Sequence, residues 1–184
     1  MIGFKSIADE RLDFALERVQ EVIKAAELGK GDKEDPRLKL TPQKRKEEKL
    51  TPSELAKNYH QYIKSFGMLV LNSGLVAALL FAQGKANKGD KKAEAYNLII
   101  EHLTKWLRCS GYLEKVDDEC ENIQNVQDRE KEAQKAKNSI QQLYSKNSPH
   151  IRQATREALA FLQDLKRVAD ARLQKPEKTG NDGK

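Results

Sequence analysis

An all-α fold is predicted for this 184-residue chain by three observations. Apolar residues recur at intervals of three and four along most of its length, the period of a helix with one buried face. No segment alternates at period two for long enough to make a strand, and Gly plus Pro number only 15, few for the turns a sheet protein needs. Charged residues make up 34% and apolar residues 38%, the balance of amphipathic helices around one core. The length suits a single-domain helical bundle of about five to seven helices. That domain is expected over residues 1–173.

The first helix is predicted over Phe4–Leu28. Ser6 caps it, with Asp9 and Glu10 in the first turn. Leu12, Ala15, Leu16, Val19, Ile23 and Ala26 form its inward stripe, and Gly29 and Gly31 end it. Residues 30–50 hold Pro36, Pro42 and mixed charges, and are expected to be a mobile linker. Thr51-Pro52-Ser53-Glu54 is a helix start: a threonine cap, proline at the first position and glutamate three after the cap. Leu55, Tyr59, Tyr62, Ile63 and Phe66 mark one face, and a break is expected at Phe66-Gly67.

A helix over Gly67–Ala82 is apolar nearly all round and so predicted to be buried. Glycine inside a helix costs about 1 kcal/mol against alanine, so Gly74 is expected where a neighbouring helix passes closely. Gly84–Asp90 reads as a turn. The fourth helix presents Ala93, Tyr96, Ile99, Ile100, Leu103, Trp106 and Leu107, and stops near Ser110-Gly111. From Leu113 to Asn147 a thinner stripe (Val116, Ile123, Val126, Ala133, Ile140, Leu143, Tyr144) predicts helix, with breaks near Asp117-Asp118 and Lys137-Asn138. Asn147-Ser148-Pro149 starts the last helix, whose inward face is Ile151, Ala154, Ala158, Phe161, Leu162, Leu165, Val168 and Ala169. Pro176 closes it, and residues 174–184 are expected to be a disordered polar tail. The predicted core includes Val70, Leu71, Leu75, Leu79, Ile99, Trp106, Phe161 and Leu165.

Motifs for chemistry are absent. There is no G-x-x-x-x-G-K-[ST], no G-x-G-x-x-G and no H-E-x-x-H, so no cofactor is expected. His60, His102 and His150 lie on three separate segments, and a lone helix histidine is usually exposed or hydrogen-bonded. Cys109 and Cys120 lack zinc-site spacing and read as ordinary thiols of a reducing compartment. Asp117-Asp118-Glu119 lacks the loop glycine and terminal glutamate of a calcium site, so no metal is expected there. No catalytic residue is nominated. The apolar run Met68–Ala82 is too short and too polar to span a bilayer, and the amino terminus lacks a signal-peptide pattern. A cytoplasmic protein without membrane contact is expected.

Charge is the better lead. The net charge is +6. Leu113–Lys135 holds eight acids and four bases, net −4, which leaves the remainder at +10. On the last helix Arg152, Arg156, Gln163 and Arg167 fall within an arc of ~60°, opposite the apolar face. Arginine clusters suit phosphates because the guanidinium is a planar fork of donors. Lys57 and Lys64 form a second patch, and Lys85, Lys88, Lys91 and Lys92 a third. Solvated helix faces are the plainer reading of such patches, and Glu157 and Asp170 dilute the arginine stripe.

Leu55–Lys85 carries further information in Tyr59, Tyr62, Ile63 and Lys64, then Asn72, Gly74 and Leu75, then Ala77, Ala78, Leu79 and Phe81. This series resembles the signature of the small subunit of type III-B CRISPR RNA-silencing (Cmr) complexes: a leader "YxxYVKxxP", an "IxxNGL" element and an "AALAF" helix. Ile151–Leu173 is similar to the family's closing helix, through Thr155-Arg156-Glu157-Ala158-Leu159 and then Phe161, Leu165, Lys166 and Arg167. The leader's usual proline is Gly67 here, and the linker and the acidic segment are long for the family.

The resemblance implies an all-helical, non-catalytic subunit. Its partners would be the other Cmr subunits, copies of itself, and the guide RNA and target RNA. Such subunits stack along the guide–target duplex, and target cleavage resides in the larger backbone subunits. Lys166 then joins the RNA-binding candidates. Two other classes remain open: a helical adaptor that binds only protein, its basic faces serving acidic partners or solubility, and a small hydrolase. An inward cluster of His, Asp and Glu would favour the hydrolase.

Overall fold

The computed structural model describes residues 6–28, 52–87, 92–114 and 129–173. Six helices run through them: α1 (Ile7–Leu28), α2 (Pro52–Ser73), α3 (Leu75–Ala86), α4 (Ala93–Cys109), α5 (Arg129–Ser145) and α6 (Ser148–Leu173). Among the described residues there is no strand. The predicted linker, the tail, Cys120, Lys88, Lys91 and most of the acidic segment lie outside the described residues.

Local chemistry accounts for the helix ends. Ser6 and Asp9 form a reciprocal cap: the Asp9 N–H donates to Ser6 Oγ at 3.3 Å and the Ser6 N–H donates to Asp9 Oδ2 at 3.1 Å. α4 ends in a Schellman motif, in which Gly111 at φ 80° lets the Tyr112 N–H reach the Leu107 carbonyl at 2.9 Å. Asn147 caps α6, its Oδ1 accepting the His150 N–H at 3.0 Å.

All six helices contribute to one core, built from Ala15 and Val19, Tyr59, Ile63, Phe66 and Val70, Leu75 and Leu79, Ile99, Leu103 and Leu107, Ile140 and Leu143, Phe161 and Leu165. α4 lies at its centre, packed against the five other helices. Every residue from His102 to Arg108 is buried. Thr104 and Arg108 of that run find partners: Thr104 Oγ1 donates to the Ile100 carbonyl at 2.8 Å, and Arg108 Nη1 donates to Ser139 Oγ of α5 at 2.7 Å. Phe14, Trp106 and Phe161 form an aromatic triangle with centroids 5.4, 5.7 and 5.6 Å apart.

Several expectations are corrected. α2 does not break at Gly67 but runs unbroken to Ser73. Its helical phase is therefore continuous, and Leu71 falls on the face of Lys57 and Lys64 while Val70 keeps the face of Tyr59, Ile63 and Phe66. Leu71 is accordingly 62% exposed, not core, and Met68 is exposed beside it. α3 continues past Gly84, and its outward face leaves Leu80 and Phe81 exposed. The apolar stretch is thus not buried all round. α5 crosses Lys137-Asn138 without a break, and Ser139 Oγ donates to the Lys135 carbonyl at 2.9 Å. Tyr144 and Leu12 point outward.

Gly74 is not inside a helix, and no helix passes close to it. It separates α2 from α3 at φ 83° and ψ 160°, and a Cβ there would meet nothing within 4 Å. The Gly74 N–H closes the last turn of α2 on the Val70 carbonyl (2.9 Å), and its carbonyl opens α3 by accepting the Ala78 N–H (3.0 Å). The chain redirects at this one residue, in a backbone region essentially confined to glycine. Gly74→Ala is expected to cost about 1–3 kcal/mol of stability through backbone strain alone. Denaturant unfolding checks this; unchanged stability would show that the kink tolerates a side chain.

Candidate nucleic-acid interface

The arginine stripe lies where helical phase put it. Arg152, Arg156, Lys166 and Arg167 are exposed on α6, opposite the buried Phe161, Leu165 and Val168. Arg152 and Arg156 form no ion pair among the described residues. Arg167 is engaged, its Nη1 3.2 Å from Asp164 Oδ1.

Of the two acids that dilute the stripe in sequence, Glu157 is turned inward, and Asp164 joins it. Arg11 of α1 donates through Nη1 to Glu157 Oε1 at 3.0 Å and through Nε to Asp164 Oδ2 at 2.7 Å. Trp106 Nε1 donates to the same Glu157 oxygen at 3.1 Å. Burial works against the Arg11 charge, but its hydrogen bonds to Asp164 and Glu157 outweigh it and hold its pKa above the ordinary value. These carboxylates join α1, α4 and α6, Asp164 through Oδ2 while its Oδ1 meets Arg167 at the surface.

On α2, Lys57 is exposed and Lys64 reaches across to α6, its Nζ 3.1 Å from Asp170 Oδ1. His60 Nε2 meets the same oxygen at 2.6 Å. Asp170 shares the angular position of Arg152 on α6 at ~100° per residue. The structure thus brings Lys64 of α2 to the edge of the arginine stripe, a juxtaposition sequence alone did not reveal. The third patch is separate: Lys85 is half-buried with its ammonium 5.3 Å over the Phe81 ring, Lys92 is exposed, and Lys88 and Lys91 lie outside the described residues.

The hydrogen bond from His60 is the main cause that lowers the Asp170 pKa, aided by Lys64 and opposed by slight burial. Glu21 is also lowered: burial pushes it up, but His102, Arg18 and Lys105 outweigh that. A carboxylate depressed in the folded state adds stability above its unfolded pKa and loses it as pH falls through the folded one. Stability is therefore expected to decline as pH drops below the ordinary values of 4.5 for Glu21 and 3.8 for Asp170. Unfolding measured against pH checks this, and Glu21→Gln should flatten the acid limb.

An inward polar cluster does exist. Tyr59 Oη and His102 Nδ1 are 2.6 Å apart, His102 Nε2 faces Glu21 Oε2 at 3.6 Å, and Glu21 Oε1 pairs with Arg18 Nη1 at 2.7 Å. Nε2 faces a carboxylate and so carries the imidazole hydrogen; Nδ1 then accepts from the Tyr59 hydroxyl. Burial holds the Tyr59 phenol well above its ordinary range, so it stays protonated as that donor role requires. Both Tyr59 and His102 have no exposed surface. A reacting atom must sit about 3 Å from such groups, and here core side chains occupy that space. The cluster ties α1, α2 and α4 together and gives the hydrolase reading no support. Tyr59→Phe leaves His102 Nδ1 buried without its donor and is expected to cost about 1–2 kcal/mol; thermal unfolding checks it. His102 was legible only as a histidine at the edge of an apolar helix face.

A cleft of about 240 Å³ between α3, α4 and α5 is lined by Gln83, Asn87, Glu94, Glu101 and Lys137 among others. Its two carboxylates disfavour an anion, and it includes no residue of the arginine stripe. Among the described residues no group of three His, Cys, Asp or Glu side chains could hold a metal ion, and no helix is long and apolar enough to cross a membrane.

No curated protein matches this chain. The family model described as CRISPR-associated protein (Cas_Cmr5) matches residues 43–172. That match takes in α2 to α5 and all of α6 but its last residue, and leaves α1 outside, although α1 supplies Arg11, Phe14 and Glu21 to the bundle. With well over half its length matched and an all-α bundle observed, the chain belongs to the Cas_Cmr5 family, that of the small subunit of the type III-B CRISPR (Cmr) complex.

Proposed function

We propose that this chain is a non-catalytic Cmr subunit that stacks with copies of itself along the guide RNA–target RNA duplex and holds it by its phosphates, in the cytoplasm. The observation that carries the phosphate reading is the outward arc of Arg152, Arg156 and Lys166 on α6, flanked by Lys64 of α2, with Glu157 and Asp164 withdrawn into ion pairs with Arg11. Phosphate contacts position an RNA without reading it, and base pairing between guide and target supplies specificity. Cleavage then falls to the larger subunits, as the family resemblance implies.

The α2 face that carries Lys57 and Lys64 continues into exposed Met68 and Leu71. Apolar side chains there suit a protein neighbour in the stack, and equally favour the protein-only adaptor. Salt separates the two readings. Few phosphate contacts per chain mean weak RNA binding by the isolated subunit, with a gain from linked copies in the assembled complex. The test is binding of one RNA to the free subunit and to the complex across a salt series. Equal affinity per subunit would contradict stacking; binding that does not respond to salt, or none in either form, would leave the adaptor.

A further inference from the structure

Three α6 carboxylates lie near the stripe, and only two are locked inside the bundle. Glu157 and Asp164 are held by Arg11, which is 16% exposed. Asp170 instead sits on the outer arc, 35% exposed, and takes two donors from α2 on a single oxygen: His60 Nε2 at 2.6 Å and Lys64 Nζ at 3.1 Å. The ionised carboxylate only accepts, so His60 Nε2 carries a hydrogen. One oxygen receiving an imidazole N–H and an ammonium is the arrangement in which these groups receive a phosphate oxygen.

We propose that His60 and Lys64 form a seat for one backbone phosphate of the RNA, and that the Asp170 carboxylate fills this seat in the free chain. The inference rests on the phosphate-binding reading above and names a specific seat and its occupant. The Lys64–Asp170 arm, 42% and 35% exposed, is weakly held in water, so an arriving phosphate can compete with the carboxylate there. Lys166 and Arg167 stand one helical turn before Asp170 and flank the seat. Asp170 thus lowers the affinity of the free chain for stray RNA, and Lys64 contributes fully only once Asp170 is displaced.

The test is a double-mutant cycle of Asp170→Asn and Lys64→Gln in the full chain, read by binding to single-stranded oligouridylate near physiological salt. Asp170→Asn should tighten binding by roughly fourfold, the worth of one phosphate contact at that salt. Lys64→Gln should weaken the wild type by less than about twofold, because Asp170 already occupies that lysine, yet cancel the whole gain in the Asp170→Asn background. No tightening by Asp170→Asn, or the same Lys64→Gln effect in both backgrounds, would overturn the seat and leave Asp170 as one charge among many.

A second arm is independent of RNA. Inorganic pyrophosphate should shift the His60 imidazole signals in the NMR spectrum of Asp170→Asn and not of wild type; no shift in Asp170→Asn overturns the seat. Salt-insensitive RNA binding by every variant would instead sink the phosphate reading of the subunit, with the pyrophosphate arm still deciding the seat. Asp170→Ser replaces Asp170→Asn in both arms if the latter unfolds.

Discussion

Phe161→Ala is expected to lower the unfolding free energy by about 3–5 kcal/mol. Phe161 has no exposed surface and stacks on Trp106 at 5.6 Å with 20° between the rings. Phe14 of α1 meets it at 5.7 Å. The ring therefore joins three helices that are distant in sequence. Its neighbours are anchored elsewhere: Trp106 donates to Glu157, and α1 is tied to α6 through Arg11. They cannot collapse into the space a lost ring leaves, so the cavity term adds to the lost transfer energy. The denaturant midpoint should fall with its slope unchanged. Phe81→Ala is the control: the ring is 46% exposed, and its loss should cost less than about 1 kcal/mol. A small effect at Phe161 would show that α1 and α6 do not close over a common core.

Replacing Arg152, Arg156 and Arg167 together by glutamine is expected to cut RNA affinity by roughly 10- to 50-fold near physiological salt. Each phosphate contact with a single strand contributes about 0.7 to the salt slope, so the slope should fall by about 1.4 to 2.1. The lower end applies if Arg167 stays with Asp164, to which it lies 3.2 Å away, and only Arg152 and Arg156 reach RNA. Every RNA sequence should be weakened alike, because phosphate contacts carry no sequence information. Folding should survive, since all three side chains are exposed on the face away from Phe161 and Leu165. Affinity against salt, with helicity as control, is the measurement. An unchanged slope would shift the contact to Lys57 and Lys64 or to Lys85 and Lys92. Lost sequence preference would overturn the backbone-only mechanism.

The helices themselves were legible because their causes are local. Ser6 with Asp9, Ser110-Gly111 and Asn147 act within a turn of where they stand, and the apolar period tells which face of α4 or α6 turns inward. The resemblance carried by Tyr59–Phe81 and Ile151–Arg167 was likewise written in residue order, and the match over residues 43–172 agrees with it. The arginine arc of α6 needed only the 100° step of a helix.

Positions that depend on where a helix is interrupted were less secure. One misplaced break, at Gly67 instead of Gly74, reset the helical phase and sent Leu71 to the core when it stands 62% exposed. Glycine in an apolar run suggests close packing and a kink equally, and only the backbone angles at Gly74 separate the two. Partnership was invisible in sequence. Glu157 and Asp170 read alike as acids on a basic helix, yet one is drawn inward by Arg11, 146 positions away, while the other meets His60 and Lys64 at the surface. By itself the sequence determined the helices, most of their inward faces, the basic stripe and the family. The tertiary structure decided which charges are spent inside the bundle and which remain at its surface. The physical reason is that helical periodicity couples residues three and four apart, whereas the partner of a charged side chain is chosen by packing between distant helices.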